Sequence, residues 1–173
     1  MNSTELVKNV FESFKGLPVF PYHNFVHCVE TAKRALAGSF YYGLPVDQRI
    51  ALYTAALFHD ANYLGDTDDT VNVQAAAKAW GGGGLVEELI LSTANPWKVP
   101  AEGDPHALLK RILRDADILQ SAEPHWKLLL EEELAVNATN IWISEHLTTD
   151  WGQEFFKMSK ENSCFLEGPS NPF

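Results

Sequence analysis

Apolar residues recur along this chain at intervals of three and four, the repeat that gathers them on one side of an α-helix. Leu6, Val7, Val10, Phe11 and Phe14 follow Ser3, a residue suited to capping, and predict a short amphipathic first helix. Pro18 and Pro21 break the chain, and a second helix is expected from Asn24 to about Ala37, with Val26, Val29, Ala32 and Leu36 inward. Gly43 and Pro45 punctuate again, and Asp47 is placed to cap a third helix, rich in Ala and Leu, that runs into His59-Asp60. A polar, acidic loop over 61–69 leads to a fourth helix, starting at Asp69 or Thr70 and ending at Trp80. Gly81 to Gly84 stop it. No Gly-Lys-Ser/Thr follows these glycines and no strand precedes them, so they read as a helix–helix turn rather than a phosphate-binding loop. Leu85 to Thr93 predicts a fifth helix, ended by Asn95-Pro96, and a proline-rich loop leads to a sixth from about Pro105 to Gln120. Residues 124–137 and 139–158 predict two more, with an irregular tail from Gly168. No alternating run makes a strand and no repeat is evident. The expected fold class is all-α.

Certain polar residues do not fit these apolar segments. His23 and His27 are four apart and share a helical face, in a turn that Phe25, Val26 and Val29 would bury. His59-Asp60 closes the apolar third helix. A cationic His suits a helix C-terminus, but a carboxylate at the same end is repelled by the dipole. A cation between the two removes that conflict, because the carboxylate becomes a ligand. Asp115 and Asp117 lie on the sixth helix, flanking the stripe Leu109, Ile112, Leu113, Ala116 and Leu119 on either side. Periodicity does not choose between them. Two imidazoles and two carboxylates from three helices make a site for one divalent cation. Mixed N/O ligation without thiolate suits Mn, Fe, Co, Ni or Zn, and Mg remains open.

Bulk properties narrow the partners. At 173 residues the chain suffices for one domain, taken here as residues 1–173. A net charge of −10 argues against a nucleic-acid polymer, which needs a basic surface, but leaves room for a small phosphorylated substrate. No apolar run reaches the length of a membrane span, and the N-terminus lacks the basic and apolar regions of a leader. Cys28 and Cys164 form no Cys-x-x-Cys pair. These features predict a cytoplasmic protein with reduced thiols and no membrane partner; a homo-oligomer is left open.

The order His23-Asn24-x-x-His27, Phe58-His59-Asp60 and an Asp near residue 115 resembles the H…HD…D signature of the HD-domain metal-dependent phosphohydrolase superfamily. The likeness covers roughly residues 20–120, with the helices over about 124–158 expected to pack on that core. Tyr22-His23-Asn24-x-x-His27 and Phe58-His59-Asp60-Ala61-x-Tyr63 are similar to small bacterial proteins described only as predicted metal-dependent phosphohydrolases. The resemblance implies a compact single-domain helical bundle in which His27, His59 and Asp60 bind metal. The last ligand maps to Asp115 in one alignment and Asp117 in another; Asp115 is preferred. His23 matches a position near substrate. The superfamily's two-metal members carry extra histidines before the last Asp, where this chain offers only His106 and reads Thr93-Ala94-Asn95-Pro96. This argues for one ion and against the oxygenase branch. Tyr63 and Leu64 stand where the (p)ppGpp-hydrolase and nucleotidase branches carry acidic residues.

The expected activity is hydrolysis of a phosphate ester of a nucleotide or other small metabolite by a metal-activated water. His23, Asp60 and Arg114 are the expected catalytic residues. Lys78, Lys33 and Arg34 are further candidates for phosphate, each also readable as a solvated helix charge. Asp66, Asp68 and Asp69 either serve the reaction or simply cap the fourth helix. Tyr22, Phe25, Tyr63, Trp80 and Trp97 either stack on a base or pack the core. The alternatives are an enzyme of another class on the same helices, a hydratase or an oxygenase, and a non-catalytic metal- or nucleotide-binding module.

Overall fold

Asn2, rather than Ser3, opens the first helix. Its side chain accepts the Glu5 N–H while the Glu5 carboxylate accepts the Asn2 N–H, so two otherwise unpaired donors are satisfied reciprocally. The structure, a computed structural model, describes residues 2–135 and 139–166. Among them are nine helices and no strand: α1 (Ser3–Ser13), α2 (Phe25–Tyr41), α3 (Val46–Phe58), α4 (Asp69–Trp80), α5 (Gly84–Leu91), α6 (Ala107–Gln120), α7 (Pro124–Leu134), α8 (Asn140–His146) and α9 (Asp150–Leu166). The tail expected to be irregular from Gly168 lies outside the described residues.

Most breaks fall where turn chemistry demands them. Gly81 takes a left-handed φ of 64° that closes α4, so the glycine run is a helix–helix turn. Asp68 caps α4 by accepting the Thr70 N–H. Asp47 does not cap α3; it lies inside the first turn, after Pro45. The single helix expected over 139–158 is two, parted at Leu147–Thr149, and the cause is Asp115 of α6. Its carboxylate accepts the backbone N–H groups of Thr148 and Thr149 and both threonine hydroxyls, at 2.6–3.0 Å. Thr149 then caps α9, accepting the Gly152 N–H at 3.0 Å.

α3 sits at the centre and touches α1, α2, α4, α5 and α6, while α2 also packs on α6 and α9. Leu52, Leu57, Leu89, Ile90, Ile112, Leu113, Leu119 and Ile143 are fully buried between these helices. Burying each such side chain stabilises the fold by about 1.5–3 kcal/mol. The inward face of α2 differs from the expected one. Val26 is 52% exposed, whereas His27, Cys28, Thr31, Ala32 and Ala35 are buried. The helix therefore turns its imidazole, not its valine, toward α3 and α6. No helix among the described residues is long and apolar enough to cross a membrane.

Candidate metal centre

Asn24 starts α2 by accepting the N–H groups of Val26 and His27, and this cap fixes His27 in the first turn. The ring of His27 is fully buried, with Nδ1 2.8 Å from Gln120 Oε1 at the end of α6. His59 ends α3, with Nδ1 2.7 Å from the Ala56 carbonyl oxygen. A carbonyl oxygen only accepts, so each Nδ1 carries the hydrogen and each neutral ring presents a bare Nε2. The two Nε2 atoms face each other at 3.1 Å.

Two carboxylates meet the same point. Asp60 Oδ2 lies 3.2 Å from both Nε2 atoms, is buried, and has no hydrogen-bond partner. Asp117 Oδ1 lies 3.1 Å from His27 Nε2 and 3.6 Å from His59 Nε2. Four atoms with lone pairs thus converge with no ring hydrogen left to separate them. Such a cluster needs a cation, either protons on the imidazoles or a metal ion. The ligand atoms of His27, His59 and Asp60 all lie within 4.8 Å of one another, so this buried group could hold a metal ion. The donor set, two imidazoles and carboxylate oxygen, fits a divalent first-row ion.

The electrostatics agree. Burial opposes charge on His59, but Asp60 and Asp117 outweigh it and raise its pKa well above the ordinary imidazole value. Burial likewise opposes the Asp60 charge, yet the facing His59 and His23 hold it well below the usual carboxylate range. Asp117 is lowered in the same way, against its burial, by His27 and His59.

Asp115 does not belong to this group. Both of its oxygens are engaged by Thr148 and Thr149, and its side of α6 faces the α8–α9 junction. Two residues apart on a helix means about 200° of rotation, so only one of the two aspartates can face α2 and α3. That residue is Asp117. Of the two aspartates considered for the last ligand, Asp117 and not the preferred Asp115 is the one placed beside the imidazoles. Burial pushes the Asp115 carboxyl up, and the threonine hydrogen bonds pull against that rise.

A cavity of about 290 Å³ opens over His59, Asp60 and Asp117. His23, Tyr22 and Tyr63 line one side, and Asp66, Asp69, Asn72, Thr93 and Asn95 form a polar wall. Ile118, Leu130, Leu134 and Trp142 form an apolar one. Arg114 is the one Lys or Arg among the lining residues, with its guanidinium 6.0 Å from the Trp97 ring centre. The other cations expected there lie elsewhere: Arg34 is buried against Glu123, Lys33 pairs with Glu30, and Lys78 is exposed on α4. Asp69 ties the polar wall together by accepting from the Asn95 N–H and Asn72 Nδ2. Phe25 packs edge-on against Phe11, and Trp80 against Phe58, so neither reaches the cavity. His106 pairs with Glu88 beside Lys110, away from the centre.

Sequence reasoning missed Glu133 and Trp142. Glu133, on α7, hydrogen-bonds His23 Nδ1 and accepts the N–H groups of Tyr22 and His23. Burial opposes charge on His23, but Asp60 and Glu133 raise its pKa. The chain matches no protein-family profile, no curated protein and no solved structure.

Proposed function

We propose that the chain is a mononuclear metal-dependent phosphohydrolase of the HD type, cleaving a phosphate ester of a nucleotide or another small phosphorylated metabolite. The observation that carries this reading is the facing pair of bare imidazole nitrogens, with Asp60 and Asp117 beside them, at the floor of an open cavity. A divalent ion held by His27, His59, Asp60 and Asp117 would acidify a water molecule and polarise a phosphoryl oxygen. The two carboxylates offset the charge of such an ion. Gln120 and the Ala56 carbonyl hold the two imidazoles in the tautomer that leaves Nε2 free.

The chain's other residues divide the remaining work. Arg114 meets the anionic oxygens of the phosphate. His23 holds a proton at Nε2, its Nδ1–H being turned to Glu133, and passes it to the departing oxygen as the P–O bond breaks. The proton released by the attacking water restores it. Tyr63 and Trp142 offer faces against which a base or another flat group can lie. A long polyanion does not suit an acidic chain whose cavity contains one guanidinium, so nucleic-acid polymers are not the substrate proposed.

That single guanidinium also favours a second reading, hydration of a small neutral substrate at the same centre. One experiment addresses both. Protein purified without chelator is analysed for metals, then screened with added Mn or Co against nucleotides, sugar phosphates and small neutral nitriles and cyanamides. Phosphate release from a small ester, lost in Asp60→Asn, supports the first reading. Turnover confined to neutral substrates supports the second, and metal bound by other residues removes both.

A further inference from the structure

Glu133 stands third in a run of three glutamates on α7, where a solvated helix face would be expected. Its side chain is instead only 7% exposed. Burying a carboxylate costs free energy unless hydrogen bonds replace its water. All three of its partners come from two consecutive residues, 111 and 110 positions earlier, that line the cavity. Oε2 accepts the Tyr22 N–H at 2.6 Å and the His23 N–H at 3.1 Å, while Oε1 takes His23 Nδ1. Fastening α7 to the chain would need only the backbone contacts, together with Leu130 against Tyr22. The bond to Nδ1 does something more: it decides which ring nitrogen carries the hydrogen. Tyr63 completes the clamp, stacked on the His23 ring at 4.3 Å and 15° between planes.

We propose that Glu133 is a positioning residue that fixes the orientation and tautomer of His23, so that Nε2 is the atom presented to the cavity. The inference rests on the reading that His23 works on the substrate, but the geometry can be tested without turnover. A carboxylate only accepts, so the neutral imidazole beside it must be protonated at Nδ1. In Glu133→Gln the amide oxygen can still accept the backbone N–H groups, while its NH₂ faces Nδ1 and drives the hydrogen to Nε2. One atom changes, and the tautomer inverts.

The test is long-range ¹H–¹⁵N NMR of the full chain loaded with Zn, at a pH where His23 is neutral. Wild-type protein should show Nδ1–H and a bare Nε2, and Glu133→Gln should show Nε2–H with helix content retained. In the substrate assay Glu133→Gln should lower kcat about tenfold or more with KM changed less than about twofold. Combining it with His23→Ala should lower kcat no further than His23→Ala alone. An Nε2–H tautomer in wild-type protein would overturn the proposal, and so would an unchanged tautomer in the variant or fully additive rate losses. If Glu133→Gln does not fold, the wild-type tautomer alone decides. If wild-type protein hydrolyses no phosphate ester, the proposed function fails while the NMR result still stands.

Discussion

His27 Nε2 and His59 Nε2 lie 3.1 Å apart, and when neutral neither ring has a hydrogen to put between them. Without a metal, the facing carboxylates must be answered by protons, and the raised pKa of His59 expresses this. An ion entering the site displaces that proton. Metal affinity should therefore fall as pH drops through the raised His59 value, with proton release measurable by calorimetry in buffers of differing ionisation enthalpy. About one equivalent of divalent metal is expected. Two equivalents, or an affinity indifferent to pH, would refute the assignment.

The two aspartates of α6 should separate cleanly. Asp117→Asn should weaken metal binding by at least about tenfold while leaving the α8–α9 junction intact. Asp115→Ala should do the opposite. It leaves the amides and hydroxyls of Thr148 and Thr149 without their acceptor and should cost about 2–4 kcal/mol of stability, with metal stoichiometry unchanged. Metal loss confined to the Asp115 variant would reverse the assignment.

Gly152 offers an independent check on Asp115. A Cβ built at Gly152 would meet Asp115 Cγ at 2.9 Å. Neither partner can retreat, because the carboxylate is pinned by four hydrogen bonds and Gly152 belongs to the first turn of α9. Gly152→Ala should destabilise by about 1–3 kcal/mol in denaturant unfolding, although alanine favours helices. Unchanged or increased stability would mean that α9 does not press on Asp115.

The ion pair between His23 and Glu133 sets a pH window. Burial works against the Glu133 charge, but His23 lowers its pKa from 4.5, so its stabilisation is present above that value and fades as pH falls through the lowered one. The pKa of His23 is raised from 6.5, so its stabilisation is complete below 6.5 and fades as pH rises through the raised value. The stability difference between wild type and Glu133→Gln should peak between about pH 4.5 and 6.5 and shrink on both sides. A difference independent of pH would rule out a charged pair.

Arg114 is expected to set the charge preference. Arg114→Ala should raise KM for a phosphate ester about tenfold or more, a cost of about 1.5–3 kcal/mol for losing a charge-assisted contact. Nucleoside monophosphates should be turned over with higher kcat/KM than triphosphates, because among the described residues no second Lys or Arg lines the cavity. A preference for triphosphates would contradict this account.

Much of the helical frame was legible because its signals are local: Asn24 before α2, the glycines after α4, and the three-and-four spacing on α6. His27, His59 and Asp60 were legible for a related reason, since each is a polar group in a segment otherwise bound for the core. The choice between Asp115 and Asp117 was not. They flank one apolar stripe symmetrically, and what distinguishes them is a pair of threonines 33 and 34 residues downstream. The same pair explains the break between α8 and α9, because a carboxylate brought in from α6 takes the amides that a continuous helix would have used. Glu133 was hidden more deeply. Nothing in a run of three glutamates says which one turns inward, and its partners lie 110 and 111 residues earlier in the chain.

The turn of α6 from Asp115 to Asp117 joins two distant parts of the chain through a single rigid peptide segment. Asp117 faces the two imidazoles, and Asp115 grips the amides that begin the last helix. Any tightening of α6 on loading the site will be felt at Thr148 and Thr149, whose amide hydrogens should exchange with deuterium more slowly in metal-loaded protein than in chelated protein. A threonine outside the lining of the cavity thus becomes a gauge of what the cavity holds.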